Sequence, residues 1–432
     1  MTASDHKIER ADQKNRTPIF VSPFSPIGRA RIAVSADWLA AAVVVTLPWS
    51  TSAAGILIAA LMVAVLLTLD RQVVAEHLAR PGAYLPLLLW ALMCVGMLWA
   101  DVAWPARLEG LGHFHKLLII PLLLIHFSRS ARGLWIVGAF VASCVFLLIY
   151  SWAAFKWPAL IWSTRLRGVP VKDYIYQNMA FVLSACILLH VAVTLARQKK
   201  IGYFALCGLL IMAFLANIAY VASSRTALIS LPILLLVIGY QHFRHKGAVA
   251  LVALFALFGS VAWTTSPLLR ERVTALVEGT MNFQPDADTS ETQRLEFWRK
   301  SAAAIIERPI LGHGTGSIGE ILAKSSQGER GAAGLVVRNP HNQTFALGIQ
   351  AGIVGIALLY LMWLHHLLLF IGESWAARFG LLFVLQNVIG SMFNSHLSDF
   401  TAGWLYVFGV GILGGTVLNQ QIKSRTQAGA RA

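Results

Sequence analysis

The chain has 432 residues, of which 57% are hydrophobic and only 13% are charged, with a net charge of +15. A soluble protein of this length cannot bury so much apolar surface in one or two cores. At roughly 20 residues per membrane span, the apolar residues suffice for about twelve spans. The composition therefore predicts an all-α, polytopic membrane protein and excludes an ordinary soluble domain.

Apolar runs divide the chain into a basic tail at 1–32, spans within 33–263, a polar segment at 264–340, further spans within 341–418, and a short tail at 419–432. The predicted spans, nine before the polar segment and three after it, lie near residues 33–50, 51–69, 83–100, 114–127, 133–155, 174–195, 203–222, 225–241, 247–263, 341–364, 378–395 and 400–418. All four cysteines lie in apolar runs without C-x-x-C spacing, which indicates small core residues rather than disulfides or a zinc site.

The distribution of Lys and Arg predicts the orientation. With the N-terminus in the cytoplasm, nineteen of the 35 basic residues fall in cytoplasmic segments and seven in short outer loops, as the positive-inside rule requires. Both tails are then expected in the cytoplasm, with segment 264–340 outside. The positive charge thus indicates contact with anionic membrane lipid, and no nucleic-acid partner is expected.

The predicted spans are nearly free of charged residues. Transporters and pumps usually carry ionisable residues near mid-membrane as ion or proton relays, and many consist of two matching halves. No such row occurs here, and the long polar segment separates spans nine and ten rather than two halves of six. Both features argue against a transporter without excluding one.

The polar segment 264–340 is long enough that a purely connecting role would be unusual. Its middle is predicted to be a helix that starts near the capping-box pair Ser290 and Gln293 and ends at Pro309. One face of this helix should be apolar, with Leu295, Trp298, Ala302 and Ile305.

A glycine-rich run, Gly312-His313-Gly314-Thr315-Gly316, follows this helix. Glycines could let backbone amides approach a phosphate. However, no strand precedes the run and no Lys-Ser/Thr follows it, so it is neither a dinucleotide fingerprint nor a P-loop. We expect a flexible turn between two helices, with His313 as a polar surface residue.

Span ten is expected to begin at Pro340, with Asn339 as its N-cap. His341 would then lie in the first helical turn at the outer surface, where the helix dipole disfavours its protonated form. A neutral histidine can act as a general base, although an interfacial histidine without a chemical role fits the sequence equally well. Below it, Gly348 and Gly352 form a G-x-x-x-G pair, which predicts close helix packing.

Several arginines are predicted at the outer surface. Arg225 follows two serines in a very short outer turn, Arg294 lies near the start of the loop helix, and Arg165, Arg167 and Lys172 form a basic cluster. Guanidinium groups pair bidentately with phosphate, so this surface would suit a lipid-linked diphosphate. The simpler interpretations are a membrane anchor for Arg225 and a solvated helix residue for Arg294.

No metal site is predicted. Asp286, Asp288 and Glu291 are close in sequence but lack the spacing and the glycine of an EF-hand. His113 and His115 alternate, so they would face different ways on a helix.

Three motifs occur in order along the chain: Ser-Ser-Arg at 223–225, Arg294-Leu-Glu-Phe-Trp298 running on to Pro309-Ile-Leu-Gly-His-Gly-Thr-Gly316, and Pro340-His-Asn-Gln-Thr-Phe-Ala-Leu-Gly348. With these motifs and the twelve-span layout, the chain resembles bacterial O-antigen ligases. The wider superfamily also contains O-antigen polymerases and O-linked protein glycosyltransferases.

The resemblance implies a GT-C-like glycosyltransferase of the bacterial inner membrane that works on the periplasmic side without a metal or other cofactor. Its donor would be O-antigen on undecaprenyl diphosphate, and its acceptor a sugar hydroxyl of lipid A core. The family's essential arginines map to Arg225 and Arg294, its essential histidine to His341, and an acidic residue of the last outer turn to Asp399. Supporting contacts are expected from Arg338, Asn342, Arg165 and Arg167.

In this scheme the two arginines would stabilise the leaving diphosphate. The histidine would take the proton of the acceptor hydroxyl, and a single displacement would invert the anomeric centre. An O-antigen polymerase, with the same donor and a lipid-linked acceptor, is the close alternative. A protein O-glycosyltransferase and, from a different class, a lipid-linked oligosaccharide flippase or other transporter are the remaining ones.

Overall fold

The computed structural model describes residues 25–161, 166–281 and 290–429, and every regular element in these ranges is helical. The α-helices are α1 (Pro26–Thr46), α2 (Thr51–Leu67), α3 (Arg71–Leu78), α4 (Pro81–Gly96), α5 (Trp104–Gly112), α6 (Ile119–Phe127), α7 (Gly133–Lys156), α8 (Tyr174–Arg197), α9 (Ile201–Tyr220), α10 (Arg225–Thr265), α11 (Pro267–Met281), α12 (Ser290–Glu307), α13 (Ile318–Lys324), α14 (Gln343–Leu369), α15 (Trp375–Ser391), α16 (Phe400–Phe408) and α17 (Gly414–Gly429). A π-helical stretch, Gly409–Leu413, joins the last two helices. The all-α prediction is confirmed for this part of the chain.

Six helices among the described residues are long and apolar enough to cross a membrane, or up to eight if each of two bent helix pairs forms one span. The shorter apolar helix α4 is not among them. The chain therefore has the helices of a polytopic membrane protein. The count of twelve spans stays a prediction.

The long helix α10 reverses direction near its middle. Arg244 has a left-handed φ of 60° inside it, and a Cβ added at Gly239 would lie 2.6 Å from the Cα of Ala248. In a straight helix these two residues would be about 13.5 Å apart along the axis. The chain therefore folds back between them, and the two halves correspond to the predicted spans 225–241 and 247–263.

The helix predicted in the polar segment is confirmed as α12, but its buried face differs from the predicted one. Leu295 is 38% exposed, whereas Phe297 and Lys300 are buried. The Lys300 ammonium donates to the Ser326 hydroxyl at 2.7 Å and to the carbonyl of Ala333. The helix thus packs on a second side, against the end of its own segment, which an apolar stripe cannot reveal.

The glycine-rich run is docked into α14 rather than flexible, so that expectation was wrong. Gly352 has a φ of 58° and interrupts α14, which frees the carbonyls of the preceding turn. The N–H groups of His313 and Gly314 donate to the carbonyls of Ile349 and Gln350, at 2.7 and 2.9 Å. The run thus replaces the hydrogen bonds that the broken helix has lost.

His313 is part of this docking and is buried, not a surface residue as expected. Its Nε2 lies 2.9 Å from the carbonyl oxygen of Ala304, on α12. The close packing predicted for the G-x-x-x-G pair is found at Gly348, where an added Cβ would lie 2.5 Å from the Ile305 side chain of α12. Gly352 breaks the helix and also packs closely, since an added Cβ would lie 2.3 Å from the carbonyl oxygen of Ile310.

Three stretches meet at one end of the bundle: the residues before α14, the turn between α15 and α16, and the middle of α12. The Trp298 indole donates to the carbonyl of Pro340 at 3.1 Å. The Ser395 hydroxyl donates to the Asn339 side chain at 2.6 Å. These contacts fix the backbone on both sides of His341.

Candidate active site

His341 lies just outside α14, not in its first turn as expected. The helix begins at Gln343, and its N-cap is Asn342, whose side-chain oxygen accepts two helix N–H groups at 2.9 and 3.2 Å. The predicted cap, Asn339, instead accepts the backbone N–H of His341 at 2.9 Å. Both asparagines could cap, and Asn342 does so because it satisfies two orphan amides of the helix.

The backbone of His341 is left-handed, with a φ of 53°. This conformation is uncommon for a residue with a Cβ and occurs often where a side chain must be aimed at a site. The imidazole ring is partly buried and stacks against Phe297, with ring centroids 6.2 Å apart. The local fold thus holds this ring in a defined place.

A polar chain runs from His341 through Asn394 to Asp399. Nδ1 of His341 lies 3.1 Å from Oδ1 of Asn394, and Nδ2 of Asn394 donates to Oδ2 of Asp399 at 3.0 Å. The carboxylate accepts, so the amide nitrogen of Asn394 must face it, and the amide oxygen must face the histidine. Nδ1 of a neutral His341 then carries the proton, and Nε2 presents a lone pair.

Burial is the main reason why the pKa of His341 is lowered from its usual value. The hydrogen bond that Nδ1 of His341 donates to Asn394 opposes this pKa shift, and the positive charge of Arg294 adds to it. From its expected place in the first helical turn, the helix dipole was predicted to lower this pKa. The direction is as expected, but desolvation is the larger effect.

The pKa of Asp399 is shifted in the opposite direction to that of His341. Its burial raises the pKa to about 6, although the charge of Lys116 opposes this rise. The Lys116 ammonium also donates to the backbone carbonyls of Ser398 and Asp399, at 3.2 and 2.6 Å. A buried lysine therefore holds the turn that carries the carboxylate.

The two predicted phosphate-binding arginines lie on different helices. Arg294 is on α12, partly buried, and its charge acts on His341. Arg225 is the first residue of α10, directly after the N-cap Ser224, whose side chain accepts the N–H of Ala227 at 3.3 Å. The structure thus brings Arg294 to the histidine and places Arg225 where α10 begins.

The residues predicted to make supporting contacts differ in their surroundings. Arg338 is largely exposed, and its Nη1 lies 3.8 Å from Oε2 of Glu109. Asn342 is occupied as the helix cap and also donates to the carbonyl of Met392 at 3.0 Å. Arg167 lies over the ring of Phe155. Arg165, like Asp286 and Asp288, lies outside the described residues.

A cleft of about 780 Å³ opens beside the polar chain. Its lining includes Asn339, Ser395 and Asp399, and also Glu109 and Arg338, whose side chains are exposed. The cleft is large enough for sugar rings, and its mixture of acidic, basic and amide groups suits a polyhydroxylated ligand. Among the described residues, no group of three or more His, Cys, Asp or Glu side chains could hold a metal ion.

Sequence reasoning missed Asn394 and Lys116 as parts of this arrangement. Asn394 stands directly before the Ser395–Asp399 stretch, and no pattern distinguishes it from the other polar residues of that turn. Lys116 did carry a signal, because a lysine at the start of an apolar run needs a partner. The partner, in a turn about 280 residues away, could not be read from the sequence.

The described residues define the class of protein as a polytopic membrane protein that is helical throughout these ranges, with a histidine-centred polar site at one end of its bundle. The model of the O-antigen ligase family matches residues 210–360, which include Arg225, Arg294 and His341. This match supports assignment of the chain to the O-antigen ligase family. Members of the family are glycosyltransferase-like ligases and polymerases. No curated protein matches the chain significantly.

Proposed function

We propose that the protein is an O-antigen ligase that transfers a glycan from undecaprenyl diphosphate to a sugar hydroxyl of lipid A core. The transfer takes place at the periplasmic face of the inner membrane, with both termini in the cytoplasm. The observation that carries the proposal is the hydrogen-bonded chain His341–Asn394–Asp399 beside the cleft, with the charge of Arg294 acting on the imidazole.

His341 is the general base in this proposal. Asn394 holds Nδ1, so Nε2 is the basic atom, and the lowered pKa keeps the ring neutral near pH 7. The acceptor hydroxyl gives its proton to Nε2 while its oxygen attacks the anomeric carbon of the donor. The bond to the diphosphate breaks on the opposite face of the sugar, which inverts the configuration.

Arg225 and Arg294 stabilise the negative charge that develops on the leaving diphosphate. A diphosphate is already a good leaving group, so fixed positive charges can replace a metal ion in this step. Asp399 acts through Asn394, because its carboxylate accepts from the amide that orients the imidazole. The cleft would hold the acceptor sugars, with Arg338 and Glu109 at its entrance.

The test is single-turnover transfer by the purified full chain, offered a lipid-linked glycan donor and lipid A core. His341→Gln should reduce turnover at saturating donor by at least about a hundredfold, the lower end for a lost general base. Donor binding should change little, since arginines hold the diphosphate. The matched control is His245→Gln, an exposed histidine of α10, which should transfer normally.

Two results would contradict this assignment. Normal turnover of His341→Gln with much weaker donor binding would make the histidine a binding residue. Transfer by the wild type to a second lipid-linked glycan, with none to lipid A core, would identify a polymerase instead.

A further inference from the structure

A second cavity, of about 280 Å³, lies apart from the cleft beside His341. It is formed where the ends of α7 and α9 meet the starts of α8 and α11. Its walls are mainly apolar and aromatic, and they include Phe155, Tyr174 and Tyr220. Two arginines, Arg167 and Arg272, also line it. We call it the Arg272 pocket.

Both guanidinium groups are held by aromatic rings of the same pocket. The guanidinium carbon of Arg272 lies 5.5 Å from the centroid of the Tyr174 ring, and that of Arg167 lies 4.9 Å from the Phe155 ring. Nε of Arg167 donates to the carbonyl of Phe155 at 2.5 Å. Stacking of this kind orients a guanidinium plane and leaves its edge for an anion.

The pocket also contains polar atoms without partners. The buried Nε of Arg272 has no hydrogen-bond partner among the described residues, and neither has Oγ of Ser223. Ser223 is only 2% exposed. Buried donors are almost always satisfied in proteins, so two unsatisfied donors in one cavity indicate a missing acceptor.

The charge of the lining fits an anion. None of the residues that line this pocket in the described part of the chain is acidic. Two carboxylates adjoin lining residues in the sequence: Asp173 caps α8 by accepting the N–H groups of Ile175 and Tyr176, and Glu271 is exposed on α11. No lining carboxylate therefore neutralises the two arginines.

We propose that the Arg272 pocket binds the phosphate group of a membrane lipid, with Arg272, Arg167 and the Ser223 hydroxyl as donors. The apolar wall explains why the anion should be attached to a hydrocarbon chain, because a free inorganic ion gains nothing from such a surface. The lipid is either a polyprenyl diphosphate or an anionic phospholipid of the bilayer. For a polyprenyl diphosphate the inference rests on the proposed function, since that lipid is its donor; for a bilayer phospholipid it does not.

The experiment measures lipid binding to the purified full chain in nanodiscs of neutral phosphatidylcholine. The two probes are undecaprenyl diphosphate without a glycan and phosphatidylglycerol, each detected by native mass spectrometry. Arg272→Gln and Ser223→Val should weaken binding of one probe at least fivefold, because each removes a donor. Arg272→Lys should retain part of the affinity, since it keeps the charge but loses the planar fork.

The matched control is Arg330→Gln, which removes one positive charge from an exposed residue elsewhere in the chain. It should bind both probes normally. Weaker binding of undecaprenyl diphosphate alone identifies the donor lipid as the ligand, and weaker binding of phosphatidylglycerol alone identifies a bilayer lipid. Unchanged binding of both probes by well-folded Arg272→Gln and Ser223→Val overturns the proposal, as does an equal loss in Arg330→Gln. Binding is read without turnover, so failure here is separate from failure of the His341 mechanism.

Discussion

At the scale of single residues, the candidate site depends on three asparagines near His341, each of which makes a different contact. Asn342 caps α14, which leaves Asn339 to close a turn around His341 and Asn394 to hold Nδ1. In the first turn of the helix, the backbone N–H of a histidine would have no partner within the helix. Outside the helix, the ring can face the turn that carries Asp399. The carboxylate of Asp399 then orients the ring through two hydrogen bonds in series, by way of Asn394, without a direct ion pair.

The charge of Arg294 should be visible in the pH dependence of transfer. Burial and this positive charge both lower the pKa of His341, so activity should fall on the acid side as the ring becomes protonated. Arg294→Gln removes the charge and stabilises the imidazolium. The acid limb of kcat, measured at saturating donor, should therefore move to higher pH.

Arg299→Gln is the control for this shift. Arg299 is on the same helix, but it is 60% exposed and pairs with Glu296 at 2.9 Å, so its loss should leave the limb in place. Because burial raises the pKa of Asp399 to about 6, protonation of that carboxylate is the alternative origin of the limb. If the acid limb keeps its pH in Arg294→Gln but moves in Asp399→Asn, the limb is assigned to Asp399.

At the scale of elements, the sequence predicted the helix ends that are determined by interactions between residues close in the chain. The spacing of Ser290, Gln293 and Pro309 located α12 nearly to the residue, because capping and helix-breaking chemistry act within one turn. The break at Gly352 could not be predicted in the same way. Its carbonyls are satisfied by the His313–Gly314 backbone, a non-local pairing that leaves no period in the sequence.

The docking of the glycine-rich run gives a prediction about stability. Gly314 has a φ of 89°, and an added Cβ would lie 2.4 Å from the Cα of Ala100. Gly314→Ala should therefore push the run away from the end of α4 and expose the broken turn of α14. We expect a clear fall in the thermal unfolding temperature and faster proteolysis of the 308–316 segment.

Gly328→Ala is the control that shows how much of the Gly314→Ala effect comes from backbone strain and how much from the steric clash. Gly328 also has a positive φ, of 80°, but an added Cβ meets nothing within 4 Å. This variant should lose only the roughly 1–2 kcal/mol that a left-handed residue with a Cβ costs. Equal destabilisation of the two variants would show that strain alone matters and that the docking contact contributes little.

At the scale of the whole molecule, composition predicted an all-helical membrane protein because the burial of apolar surface is a bulk property. The arrangement of the site required tertiary contacts. Lys116 and Asp399 come together from distant parts of the chain, and α12 reaches Pro340 through Trp298. Such pairs are fixed by packing, and one sequence carries no direct signal of them.

The orientation of the molecule is the last prediction, and the periplasmic site depends on it. Nineteen basic residues in predicted cytoplasmic segments, against seven in the short outer loops, place segment 264–340 outside. In a cysteine-free background, Ser325→Cys is a suitable reporter because Ser325 is exposed, unlike its buried neighbour Ser326. Ser424→Cys, exposed near the C-terminus, is the matched reporter for the other side. In intact spheroplasts an impermeant thiol reagent should label Ser325→Cys and spare Ser424→Cys, and lysis should make both react. The reverse pattern would place His341 and its cleft on the cytoplasmic side, where lipid A core and a flipped donor could not meet as proposed.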